Sequence, residues 1–123
     1  MQITLIAIQN HPPAWANSGY DDYAKRLPKD YRLDLITIPA LKRGKNAPIQ
    51  QILDNEGQQI IKAIPKGDLV IALDRKGDKL STQSMAAQLL KWHDNDQNIS
   101  LLIGGPEGLS EECLRHAERH WSL

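Results

Sequence analysis

The sequence predicts an α/β fold, three layers built around a mainly parallel sheet, and three observations carry that prediction. Short β-branched apolar runs alternate along the chain with longer runs at helical spacing, the pattern of an α/β sandwich. Two of the short runs, Asp68 to Leu73 and Ile99 to Ile103, are almost continuously apolar, as strands are when helices cover both sheet faces. With 41% hydrophobic and 24% charged residues, the 123-residue chain can bury one modest core and no more, so a single domain over 1–123 is expected.

The elements follow in order. Ile3 to Ile8 reads as a first strand. Trp15 to Leu27 reads as a helix with Tyr20, Tyr23, Ala24 and Leu27 on one face, ended by Pro28. Leu33 to Ile38 is a second strand, closed at Pro39. Asn46 is placed to cap the next helix, with Pro48 in its first turn, where a missing N–H costs nothing. Ile49, Ile52, Leu53, Ile60, Ile61 and Ile64 form its apolar stripe, and Gly57 interrupts it at a cost of about 1 kcal/mol relative to alanine. Pro65 and Gly67 end that helix, and Asp68 to Leu73 follows as a central strand. Ser81 caps a helix carrying Met85, Ala86, Leu89 and Leu90. Ile99 to Ile103 is the second buried strand. Ser110 caps a last helix, Glu111 to about Arg119, and Trp121 and Leu123 open one more strand.

Composition also narrows the function. Fifteen basic and fifteen acidic residues cancel, so any nucleic-acid contact must come from a local patch rather than a long-range field. The single Cys113 excludes an intrachain disulfide and cysteine-rich zinc sites, which fits a reducing cytoplasm. The apolar start, Met1 to Gln9, lacks a basic leader and a cleavage site and reads as a strand, and no segment approaches a membrane span.

The stretch richest in chemistry is Leu101 to Gly108, a buried strand running into a glycine turn that opens a helix. Ligands of open α/β sheets bind outside the carboxyl ends of the strands. Gly104 and Gly105 leave room for a flat ligand against the backbone, and Gly108 can take a positive φ. A tight turn without a ligand is the alternative. The pattern is neither a phosphate loop nor a dinucleotide fingerprint. If the two buried strands run parallel, Asp74 leaves the sheet beside Gly104 and Leu73 lines the same pocket. Otherwise Leu73 is core and Asp74 a turn residue. Lys42-Arg43-Gly44-Lys45 is either a phosphate-gripping loop or a solvated one. His116 and His120, four apart on the expected last helix, lack a third metal ligand, and Asp94-Asn95-Asp96 reads as a turn. Cys113, in the first turn of that helix, reads as packing. No residue is assigned as catalytic base, although Glu107 and Asp74 border the expected pocket.

Pro28-Lys29-Asp30, Ile38-Pro39-Ala40, Lys42 to Ala47, Ile52-Leu53-Asp54, Glu56-Gly57, Leu73-Asp74 and Leu101 to Ser110 resemble the RlmH group of SPOUT methyltransferases, a resemblance that runs from Met1 to Leu123. It implies an α/β sheet with a C-terminal trefoil knot, and a homodimer that uses S-adenosyl-L-methionine. The substrate implied is N3 of a pseudouridine in 23S ribosomal RNA of the assembled ribosome. It further implies that Leu73, Gly104 and a segment beginning at Leu123 hold the cofactor. Relatives continue past Leu123 with the rest of that segment, a Pro-His pair, the knot helix and a short tail. A chain ending at Leu123 is therefore expected to lack the knot helix, to bind cofactor weakly, and to leave apolar surface uncovered, Trp121 included if it faces the sheet. An inactive scaffold or a nucleotide-binding module are the rival readings, separated by preference for adenosylmethionine over ATP or NAD.

Overall fold

Period-two alternation puts successive side chains of a strand on opposite faces, and here both faces are apolar, so both must be covered. A computed structural model describes residues 1–8, 31–40, 48–79, 81–104 and 108–122, with Arg75 and Thr82 described through their backbone only. The expected helix from Trp15 to Leu27, the cap at Asn46 and the loop from Lys42 to Lys45 lie outside the described residues.

Among the described residues five strands form one sheet: β1 (Gln2–Ile8), β2 (Arg32–Ile38), β3 (Leu69–Lys79), β4 (Ile99–Ile103) and β5 (Arg119–Ser122). Their order is β2-β1-β4-β3-β5 and every pairing is parallel, so β4 is the middle strand and β3 lies beside it. Among the described residues three helices cover the sheet: α1 (Ile49–Ala63), α2 (Thr82–Asp94) and α3 (Glu111–His116). On one face Ile6, Ile8, Ile38, Val70 and Leu102 pack with Ile60 of α1 and Cys113 of α3. On the other, Ile3, Ile71, Ile99 and Trp121 pack with Trp92 of α2. The three-layer prediction holds, and the sheet is entirely parallel among the described residues.

Several local expectations are corrected. Pro48 is the N-cap of α1 rather than a residue of its first turn. On α2, capped by Ser81 Oγ accepting from Ser84 N at 3.0 Å, Ala86 and Leu90 face solvent; Leu90 is 56% exposed. Its inward row is Met85, Leu89 and Trp92. α3 ends at His116 instead of near Arg119. Two bonds stop it: Glu118 N donates to Val70 O at 2.9 Å, and Val70 N donates to Glu118 Oε2 at 2.6 Å. They draw the chain into the sheet one residue before β5 begins.

β3 also runs six residues past its expected end at Leu73, to Lys79. Ile71 to Leu73 pair with Arg119 to Trp121, then Asp78 and Lys79 pair with Trp121 and Ser122, so the register shifts between Leu73 and Asp78. Gly77 is needed in that irregular stretch, since a Cβ there would lie 2.6 to 2.8 Å from backbone atoms of His120 and Trp121. Trp121 is not left uncovered: it is 5% exposed and stacks on Trp92 with ring centroids 5.7 Å apart.

At the opposite, amino-terminal end of the strands, Ser100 Oγ donates to Asp68 Oδ2 at 2.8 Å. Burial raises the Asp68 carboxyl above its ordinary value, and the Ser100 bond offsets part of that rise. A folded-state pKa above the unfolded one means the native state holds the proton more tightly. The penalty is absent below the unfolded pKa and grows as pH rises through the folded one. Asp68→Asn removes the charge and keeps an acceptor for Ser100. The variant's urea midpoint relative to the parent is therefore expected to be higher at pH 7 than at pH 3; an offset independent of pH would exclude Asp68 as the source.

Candidate functional site

The register of β3 and β4 fixes what stands at the carboxyl side of the sheet. Leu73 pairs with Ile103, which pairs on its other side with Ala7 of β1, and Trp121 pairs with Leu73 from β5. Gly104 follows Ile103 directly. Leu73 and Gly104 thus lie on the same side of two parallel strands, as their positions in the sequence predict. Both are half-buried. Asp74 does not leave the sheet there; it continues within β3, half-buried. Gly105, Pro106, Glu107 and Leu123 lie outside the described residues.

The glycine turn is built by backbone contacts. Gly108 has φ +85°, the left-handed conformation that glycine adopts without a steric penalty. A Cβ on Gly104 would overlap the carbonyl group of Gly108 and lie 2.8 Å from Leu109 N. Gly104 is therefore required by the turn itself, which brings the Gly108–Leu109 peptide back over it. Ser110 then starts α3, its Oγ accepting from Cys113 N at 3.2 Å. Cys113 is fully buried, its thiol donates to Gly57 O at 3.5 Å, and burial pushes the thiol pKa up. The packing role read from sequence stands.

Two features of this region escaped the sequence reading. Glu56 on α1 is 2% exposed, in line with the buried Ile52 and Ile60 at four-residue steps. Gly57 beside it, read only as a weak point in a helix, abuts Ser110 and Cys113. A glycine retained inside an otherwise regular helix is the one signal that pointed to a close neighbour.

An open depression of about 560 Å³ lies further along the sheet, lined by Lys76, Asp78, Arg115, Glu118, Arg119 and His120 among others. Neither Leu73 nor Gly104 contributes to it. Its charges are mixed, and Arg119 places its guanidinium 5.7 Å from the ring centroid of Trp92. His116 and His120 do not share a helix: His116 ends α3, while His120 belongs to β5, its Nε2 2.7 Å from Leu114 O. Among the described residues no group of three or more His, Cys, Asp or Glu is arranged to hold a metal, and no helix is long and apolar enough to cross a membrane. Asn95 and Asp96 form the turn that ends α2, Asp96 with φ 53°.

Residues 1–123, the whole chain, match the family described as predicted SPOUT methyltransferase. The chain belongs to the SPOUT methyltransferases. This SPOUT methyltransferase is 46% identical over 123 residues to the ribosomal RNA large subunit methyltransferase H of Marinomonas sp. (strain MWYL1), an alignment covering all of this chain and 79% of that relative. The family assigns the molecule to the enzymes and its chemistry to methyl transfer from a donor. The sequence resemblance and the family match therefore agree, and the parallel three-layer sheet is the scaffold on which that chemistry must be placed.

Proposed function

We propose that this SPOUT methyltransferase transfers a methyl group from S-adenosylmethionine to N3 of a pseudouridine in large-subunit ribosomal RNA, and acts as a homodimer. The observation that carries the reading is the pairing of Leu73 with Ile103, which sets a half-buried apolar side chain beside Gly104 at the carboxyl side of β3 and β4. The 46% identity to a ribosomal RNA methyltransferase over the whole chain supports the substrate class.

The residues present suit such a cofactor. Leu73 and Ile103 offer partly exposed apolar surface to a flat ring, and Gly104 beside them adds no side chain. Leu123, the third proposed contact, lies outside the described residues. When bound, adenosylmethionine supplies an electrophilic methyl group on a sulfonium. The chain's part is to align that methyl with the imide nitrogen and to exclude water, the source of most of the rate in such a displacement. The nitrogen must first lose its proton. Asp74, one residue past Leu73 on β3, and Glu107 are the acidic residues nearest the proposed site in sequence. Titration calorimetry on the full-length gene product should show adenosylmethionine bound in preference to ATP and NAD; equal binding of all three would replace the methyltransferase site with a general nucleotide site.

Lys42, Arg43 and Lys45 are proposed as contacts to RNA phosphates, the local patch that a chain of zero net charge requires. Replacing all three with alanine should weaken association with ribosomal particles and flatten its salt dependence, because fewer counterions are released. Cofactor affinity should not change. Parent-level association with an unchanged salt slope would make the loop a solvated one.

A further inference from the structure

Glycine inside a helix costs stability relative to alanine unless something needs the space. At Gly57 something does. The residue is buried in the middle of α1, a Cβ there would overlap Ser110 Oγ, and it would lie 3.1 Å from Ser110 Cβ and 3.3 Å from Cys113 Sγ. The Cys113 thiol in turn donates to Gly57 O at 3.5 Å, so at Gly57 α1 and α3 are held by both contact and hydrogen bond.

Ser110 is the N-cap of α3 and stands two residues after Gly108, whose peptide with Leu109 lies over Gly104. A continuous series of close contacts therefore runs from α1 to the glycine turn: Gly57 against Ser110, and the Gly108–Leu109 peptide against Gly104. At Gly57 and at Gly104 an added Cβ would force something to shift. Close-packed interiors transmit such strain rather than absorb it.

We propose that Gly57 is a positioning residue for the cofactor site: by admitting Ser110 against the backbone of α1 it fixes where α3 starts, and so fixes the Gly108–Leu109 peptide over Gly104. The inference rests on the reading that this turn holds adenosylmethionine. Gly57 touches neither cofactor nor substrate; it acts through Ser110. The contact predicts a second-site rescue that general loss of stability would not produce. Gly57→Ala pushes on Ser110 Oγ, and removing that oxygen with Ser110→Ala relieves the largest part of the overlap.

The test compares Gly57→Ala, Ser110→Ala and the double variant in the full-length gene product, each checked as folded by circular dichroism and titrated with adenosylmethionine. Gly57→Ala should weaken affinity at least about tenfold. The double variant should return to within about threefold of Ser110→Ala alone, even though its thermal midpoint stays below the parent's. If Gly57→Ala does not fold, Ser110→Thr takes its place, since it keeps the capping hydroxyl and adds a methyl to the same contact. Parent-level affinity in the single variant, or a double variant no tighter than Gly57→Ala, would overturn the proposal. If Gly104→Val abolishes binding while Gly57→Ala does not, the positioning role alone fails. Absence of adenosylmethionine binding in the parent removes the cofactor reading and this inference with it.

Discussion

Replacing Gly104 with valine should lower adenosylmethionine affinity at least about tenfold, or about 1.4 kcal/mol, while the sheet remains folded. The structure gives a sharper reason than the lack of a side chain near a ligand. A Cβ at this position would overlap the Gly108 carbonyl group and lie 2.8 Å from Leu109 N. Valine cannot relieve that overlap by choosing another rotamer, because the clash is at Cβ, so the turn must open. β4 itself is paired on both sides through Ile103 and has no reason to dissolve. Calorimetry for affinity and far-ultraviolet circular dichroism for the fold separate the two effects. Unchanged affinity would mean that the cofactor lies elsewhere.

Trp121→Ala should cost about 3 to 5 kcal/mol of folding stability, a large part of the 5 to 15 kcal/mol typical of a domain. Trp121 is buried, stacks on Trp92, and flanks Leu73 in the adjoining strand. Its removal takes out the main apolar contribution of β5 to the core beneath α2. A strand of four residues, at the sheet edge among the described residues, has little else to bury. Trp121→Phe keeps a stacking ring and should recover more than half of the loss. Urea denaturation followed by circular dichroism measures both; a loss of under about 1 kcal/mol in the alanine variant would show that β5 is held by its backbone bonds instead.

Much of the fold was legible because its signals are local. The runs from Ile3, Leu33, Asp68 and Ile99 all became strands, and Ser81 and Ser110 both cap helices with their hydroxyls. The parts that were not legible depend on distant partners. The stretch from Asp74 to Lys79 is polar and carries a glycine, so nothing in it suggests a strand until Trp121 and Ser122 pair with Asp78 and Lys79. Arg119 continues a helical pattern in sequence, but Glu118 is tied to Val70 at both its amide and its carboxylate. Of the α2 stripe, Met85 and Leu89 share the inward face with Trp92, while Ala86 and Leu90 lie about 120° and about 160° round the helix from Trp92, on the solvent side. Trp92 was the residue to follow.

Of the candidate site, the adjacency of Leu73 and Gly104 was legible. Leu73 and Gly104 stand side by side because two buried strands are parallel and in register, which apolar runs and a glycine turn foretell. The contact of Gly57 with Ser110 brings together residues more than fifty positions apart, and no local pattern encodes which helix packs on which.

The most direct measurement is methyl transfer itself. The full-length gene product is incubated with ribosomes or large subunits and adenosylmethionine carrying a tritiated methyl group, and the modified nucleoside is then identified by mass spectrometry. One equivalent of label on large-subunit RNA, recovered as N3-methylpseudouridine and lost in Gly104→Val, is the predicted result. Label on another nucleoside would contradict the proposed specificity, and no incorporation into ribosomal RNA by a folded, adenosylmethionine-binding protein would contradict the proposed substrate altogether.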